Sequence, residues 1–114
     1  MIIGIGEKIH VIRRRVYEKQ VQRHFLGIVM EAEGAVVRAQ GHAFIFDGIS
    51  GRYEKKDNQR TTIFGLAGSG YIVNVLPEAV QLQDLRYEVV DRDYTALVDG
   101  KSFELDINEF GSNR

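Results

Sequence analysis

The chain has 114 residues, of which 44% are hydrophobic and 27% charged, and its formal net charge is −1. This composition is ordinary for a globular protein, and the length predicts a single domain over residues 1–114. The absence of cysteine excludes disulfides and thiolate metal sites and favours a cytoplasmic location, and no apolar run reaches the roughly 18 residues of a membrane span.

Basic and acidic residues are unevenly distributed along the chain. Residues 1–60 hold 11 Lys/Arg and 7 Asp/Glu, a net charge of +4, whereas residues 61–114 hold 4 and 9, a net charge of −5. Such a division allows a basic surface to meet an acidic neighbour or an anionic ligand. A mixed, solvated surface accounts for the same numbers, and we favour it.

The first quarter of the chain predicts short strands. Residues 2–5 and 8–12 are apolar and rich in β-branched side chains, with glycine between them. Residues 16–24 fit two structures. An extended lead into the next strand is favoured, and a helix of about two turns is the alternative, because short apolar runs do not distinguish helix from strand.

The stretch from Arg23 to Asp47 predicts one long β-hairpin with its turn at Glu33-Gly34. That turn places four apolar pairs on one face of the hairpin, which we expect to form the core: Ala32 opposite Ala35, Met30 opposite Val37, Ile28 opposite Ala39, and Leu26 opposite Gly41. An aspartate at Met30 or Ile28 is therefore expected to unfold the protein.

Turn chemistry follows the hairpin at residues 47–51, where aspartate and glycine favour a reversal. Residues 60–66 and 71–76 then predict a second hairpin about Gly68-Ser69, and Pro77 ends its last strand. Residues 77–84 allow one helical or 3₁₀ turn starting at the proline.

The last third predicts a strand over residues 85–90 and a third hairpin. Its arms are residues 94–98 and 101–107, and Asp99-Gly100 is the strongest short turn signal in the chain. This turn pairs Ala96 with Phe103 on an apolar face and directs Leu97 away from that face.

Consecutive hairpins with few prolines predict an all-β fold, either a small antiparallel barrel or a two-sheet sandwich, with at most one short helix. In general outline the chain resembles small Sm-like or SH3-like barrels. It carries no readable Sm motif, so the resemblance assigns no residues.

Motifs for catalysis or cofactors are weak. Residues 65–70 (GLAGSG) lack the lysine of a phosphate loop and read as a turn. The predicted register separates His24 and His42 onto opposite faces, so a histidine metal site would need His10 or a second subunit. We predict no catalytic residues, no cofactor and no metal.

One surface combines aromatic and cationic side chains, on the second face of the central hairpin: Arg23, Phe25, Arg38, Gln40, His42 and Phe44. Aromatic and arginine side chains are enriched at protein interfaces, so a core or subunit interface is the favoured interpretation. The alternative is a small Sm- or OB-like barrel that binds single-stranded RNA or DNA through this face, because rings stack on bases and cations bind phosphates.

The sequence therefore predicts a non-catalytic, all-β protein that acts by self-assembly or protein binding, as a homo-oligomer. Nucleic-acid binding is the second hypothesis. A small-molecule ligand in a barrel mouth, near Tyr71, Tyr87 or Tyr94, is the least favoured because it rests on fold alone.

Overall fold

The computed structural model describes residues 3–13, 22–67, 70–90 and 94–107. Its regular structure is almost entirely antiparallel β-sheet, which confirms the predicted all-β class. The chain divides into two compact units, Met1–Glu78 and Ala79–Arg114. The alternatives for residues 16–24 concern a segment whose positions 16–21 lie outside the described residues, while Arg23 and His24 are in a strand.

The first unit holds a six-stranded sheet. Its strand order is β4-β3-β2-β1-β6, with β5 also paired to β3. The strands are β1 (Lys8–Arg13), β2 (Arg23–Glu33), β3 (Val36–Asp47), β4 (Arg52–Lys55), β5 (Arg60–Gly65) and β6 (Tyr71–Val75). The predicted strand over residues 8–12 is present in β1. The predicted strand over residues 2–5 is wrong at its described positions 3–5, where the chain is irregular and enters a turn at residues 5 and 6.

The central hairpin is present, but its predicted register is wrong. The last ladder pair is Glu33 with Val36, so the turn lies one residue later than expected, with Gly34 at a φ of 58°. Val29 then pairs with Ala39 and Glu31 with Arg38, which makes Met30 the extra residue of a β-bulge.

The bulge reverses the faces of β2. Side chains alternate along a strand. The inserted Met30 therefore places residues 23–29 on the faces opposite to those expected from the turn. Val29 is fully buried, whereas Met30 and Ile28, both expected in the core, are 47% and 37% exposed. On β3 the expectation is correct, since Val37 and Ala39 are fully buried.

The hydrophobic core cluster lies on one side of the sheet, which we call the core face, while Ile12, Leu26 and Phe44 are buried on the other side. The cluster is built from apolar side chains of β1, β2, β3 and β5 together with Ile3 from the N-terminal segment, and Val73 of β6 packs against it. The buried members are Ile3, Ile9, Val11, Phe25, Val29, Val37, Ala39 and Phe64. We call the opposite side of the sheet the reverse face.

The predicted second hairpin is wrong in its pairing, although both of its strands exist. Residues 60–65 pair with β3 and residues 71–75 pair with β1, and no ladder joins these two strands within the described residues. β5 pairs with β3 because β3 is long enough to accept two strands on one edge. β4 pairs with only the last four of its twelve residues, so most of that edge is open to β5.

The sheet is curled. β5 and β6 stand at opposite ends of the strand order, where a flat sheet would separate them by four spacings, about 19 Å. Yet the rings of Phe64 on β5 and Tyr71 on β6 lie 5.4 Å apart between centroids. The first unit therefore has the form of an open barrel.

The second unit contains a three-stranded sheet in the order β7-β8-β9. Its strands are β7 (Arg86–Val90), β8 (Tyr94–Val98) and β9 (Glu104–Asp106). A 3₁₀ turn, Leu82–Asp84, precedes them. A single short turn was expected between residues 77 and 84, but it begins after Gln81 rather than at the proline.

The third hairpin is present with a longer loop than predicted. Val98 pairs with Glu104, so residues 99–103 form the loop, and the Asp99 carboxylate accepts hydrogen bonds from the backbone N–H groups of Lys101 (2.8 Å) and Phe103 (3.1 Å). The pairing differs from the expected one by three residues. An odd shift exchanges the faces, so Leu97 pairs with Leu105 and is fully buried instead of pointing outward.

Candidate functional site

The six residues of the predicted aromatic and cationic surface do not lie on one face. Arg23 and Phe25 belong to the core face, because they alternate in step with Val29 on the part of β2 that precedes the bulge. The other four alternate with Val37 and Ala39 along β3 and therefore lie on the reverse face: Arg38, Gln40, His42 and Phe44. Phe25 and Phe44 are also buried within the chain, so neither ring is available for stacking on a base.

The three histidines, in contrast, share one face. His10 pairs with Leu26 and Leu26 pairs with His42, while His24 lies two residues before Leu26 on the same strand. The expectation that His24 and His42 lie on opposite faces is therefore wrong, because it used the unshifted register. Among the residues that the structure describes, no three His, Cys, Asp or Glu side chains form a group that could hold a metal ion.

His10 and His24 are joined by a hydrogen bond inside the protein. The distance from His10 Nε2 to His24 Nδ1 is 3.0 Å, and both residues are buried. On the other side of His10, its Nδ1 lies 3.2 Å from Asn74 Nδ2 on β6. An amide nitrogen only donates, so His10 accepts at Nδ1, carries its proton on Nε2 and donates to His24. The chain of donors therefore runs from Asn74 through His10 to His24.

Both imidazoles are neutral at neutral pH. Burial lowers the pKa of His10 from 6.5 to about 4. Burial, followed by repulsion from His10, lowers the pKa of His24 to about 3. Desolvation has this direction because it disfavours the charged form of an imidazole. The pair is therefore suited to holding β1, β2 and β6 together, and neither ring changes its protonation state near pH 7.

Aromatic side chains pack beside this pair on the reverse face. The rings of Tyr53 on β4 and His24 lie 4.9 Å apart, and Phe46 meets Tyr53 at 5.3 Å. The Tyr53 hydroxyl donates to Gln22 Oε1 at the entry to β2. Tyr53 thus links β4 to the hydrogen-bond chain from Asn74 through His10 to His24. Sequence reasoning missed the cluster, since the pairing of β1 with both β2 and β6 has no local signal.

The other end of the hairpin carries exposed apolar side chains, which we call the hairpin-end patch: Ile28, Met30, Val36 and Ile63. Their exposed fractions are 37%, 47%, 47% and 58%, against 9% or less for the core residues. Ile63 pairs with Arg38, and Val36 lies two residues before Arg38 on β3. Val36 and Ile63 are therefore diagonal neighbours on adjacent strands.

Charged residues stand within the hairpin-end patch. Arg38 Nη1 donates to Glu31 Oε1, and both side chains remain about half exposed or more, at 47% and 63%. Glu31, Arg38 and Val36 also line an open groove of about 280 Å³, together with Ala32, Glu33 and Ile63. Such a surface offers a second molecule apolar contacts, one acid–base pair and a depression large enough for a side chain.

The two units differ in charge. Residues 1–78 hold 11 Lys/Arg and 8 Asp/Glu, a net charge of +3, and residues 79–114 hold 4 and 8, a net charge of −4. Within the described ranges, no helix has the length and apolar character needed to cross a membrane.

Comparison of the chain with known protein families, with curated proteins and with solved structures finds no match.

Proposed function

We propose that the protein is a non-catalytic, cytoplasmic β protein that acts by self-assembly, and that two copies associate through the hairpin-end patch about a two-fold axis. The supporting observation is the group of four exposed apolar side chains around the Glu31–Arg38 pair. Exposed apolar side chains grouped on one surface of a globular protein mark an interaction site more often than isolated ones do.

A second copy is the favoured occupant because the patch is self-complementary in charge. In a two-fold interface each patch meets itself, so its acidic and basic groups must be able to exchange partners. Glu31 and Arg38 satisfy this condition, since Glu31 of one copy can bind Arg38 of the other and the reverse. Met30, exposed at the bulge, supplies a flexible side chain that adapts to an opposing surface.

The first experiment measures the mass of the protein by light scattering after size exclusion, from low to high micromolar concentration. We expect a concentration-dependent dimer. Ile63→Glu should raise its dissociation constant by about ten-fold or more, because a charge enters an apolar contact. Ile49→Glu makes the same change at a residue that is 99% exposed in the turn after β3 and should leave the mass unchanged. Equal behaviour of the two variants would remove the patch from the interface.

A charge-exchange experiment tests the two-fold arrangement. Glu31→Arg and Arg38→Glu should each weaken the homodimer, since like charges then meet across the axis. An equimolar mixture of the two variants should form a heterodimer, because each acidic patch faces a basic one. Failure of the mixture to associate, when the unaltered protein does, would contradict the two-fold pairing of these residues.

A further inference from the structure

A row of side chains at the opposite end of the sheet carries unbalanced positive charge. Tyr71 on β6 is the cross-strand partner of Arg13 on β1, and Arg13 is the partner of Arg23 on β2. The three side chains continue the core face beyond Val11, Phe25 and Val73. We call Tyr71, Arg13 and Arg23 the arginine row.

The two arginines of the row are adjacent and have no acidic partner among the residues that the structure describes. Directly opposed residues on antiparallel strands have Cα atoms about 4.5–5.5 Å apart, and like charges in that position repel. Both side chains are exposed, and in the described part of the chain neither makes an ion pair or a side-chain hydrogen bond. Arg38 and Arg86, in contrast, each bind a glutamate.

Among the described residues of the neighbouring strands, the carboxylate in line with the row is that of Glu54, and it forms no ion pair with the arginines. Ile45 is the partner of Arg23 on β3, and Glu54 is the partner of Ile45 on β4. Glu54 is therefore two strand spacings from Arg23, about 10 Å. Among the described residues, no carboxylate therefore offsets the repulsion between Arg13 and Arg23, which an external anion would relieve.

Tyr71 adds an aromatic surface beside the cations. Its side chain is 38% exposed, and its ring is held by Phe64 at 5.4 Å between centroids. A ring fixed in this way next to guanidinium groups matches the combination by which proteins hold single-stranded nucleic acid, where bases stack on aromatic rings and cations bind phosphates.

We propose that the arginine row binds single-stranded nucleic acid, with Arg13 and Arg23 on phosphates and Tyr71 stacked on a base. An isolated phosphate would use the arginines without the ring, and an acidic peptide would not need an exposed aromatic surface beside them. The net charge of +3 on residues 1–78 favours approach of a polyanion to this unit.

The arginine row is separate from the hairpin-end patch. Ile28 is the patch residue nearest to Arg23 on β2, five residues away or about 17 Å along the strand. The two surfaces also lie on opposite faces of the sheet. The variants that test them do not overlap.

The test is fluorescence anisotropy of a labelled, mixed-sequence single-stranded DNA of about 12 nucleotides, titrated with the full chain at several salt concentrations. The double variant Arg13→Gln, Arg23→Gln should bind more weakly. It should also reduce the slope of log K against log salt by about 1.4, since each phosphate contact on a single strand contributes about 0.7. The control Arg52→Gln, Lys55→Gln removes the same charge from exposed positions on β4 and should keep the slope.

Tyr71→Leu separates nucleic acid from a simple anion. Loss of one stacked base should weaken binding about 5- to 150-fold while leaving the salt slope unchanged. If Tyr71→Leu binds as tightly as the unaltered protein, the row takes phosphate alone and the proposal is wrong. Equal losses in the arginine variant and the β4 control would show only unspecific attraction and would also overturn it, as would an absence of binding at tens of micromolar protein.

Thermal unfolding shows whether the variants are folded. Removing the repulsion between Arg13 and Arg23 should leave the melting temperature unchanged or raise it. The oligonucleotide should raise the melting temperature of the unaltered protein and not that of the double arginine variant.

Discussion

At the scale of single residues, His10 and His24 make the stability of the protein depend on pH. Both are buried and neutral, with pKa values lowered from 6.5 to about 4 and about 3. Asn74 and Tyr53 surround them without supplying a negative charge. Protonation is therefore more favourable in the unfolded chain than in the folded one.

This difference predicts the direction of the pH effect. Well above pH 6.5 both histidines are neutral in both states and contribute no slope. Between about pH 6.5 and pH 4 the unfolded chain binds more protons, so the free energy of unfolding should fall as the pH falls, by up to about 1.4 kcal/mol per pH unit for each histidine. Urea unfolding at a series of pH values measures it. His24→Gln should reduce the slope, and a slope indifferent to His24 would contradict this assignment.

A second prediction at this scale concerns the close approach of β2 and β3. Gly41 pairs with Gly27, and a Cβ atom at Gly41 would lie 1.9 Å from the Leu26 carbonyl oxygen. Because backbone must move to make room, Gly41→Ala should destabilise the protein by about 1–3 kcal/mol or more. Gly48→Ala is the control, since a Cβ atom there meets nothing within 4 Å. Chemical denaturation of both variants measures the difference, and equal stabilities would mean that the strands are less close than described.

At the scale of elements, the bulge at Met30 determines which residues of β2 are buried. We predict opposite effects of the same substitution at two neighbouring residues. Val29→Asp should unfold the protein, because an unpaired charge would enter the core, whereas Met30→Asp should be tolerated. Circular dichroism and thermal melting of the two variants at low concentration, where self-assembly does not contribute, provide the measurement. Unfolding by Met30→Asp with tolerance of Val29→Asp would restore the unshifted register.

At the scale of the whole molecule, the first unit is assembled from distant parts of the sequence. β1 pairs with β6 some 60 residues later, and β3 with β5 across the β4 segment. Long loops must close before such pairs form, so folding should take milliseconds to seconds rather than microseconds. Stopped-flow refolding measures the rate. A dominant microsecond phase would indicate that local hairpins alone account for the native sheet.

The sequence pattern predicted the secondary structure of these elements, but it did not predict which strands pair with each other. Alternation and turn residues located the central hairpin and the strands over residues 60–65, 71–75 and 94–98. The same pattern failed at Met30, because the sequence does not show on which face of the strand an apolar side chain lies. It also failed around Asp99, where the aspartate stabilises a five-residue loop instead of a two-residue turn.

The candidate sites depend more on tertiary structure than the fold class does. Arg23 was recognised from the sequence, but its neighbours Arg13 and Tyr71 come from strands that only the sheet order brings beside it. The same is true of His10 and His24. By itself the sequence determined an all-β chain of hairpins, because strand period and turn chemistry are local properties. Only the tertiary structure decided the register, the partners of β5 and β6, and the surfaces that several strands share. The bulge in β2 and the open edge of β3 select among strand pairings that the local sequence does not distinguish.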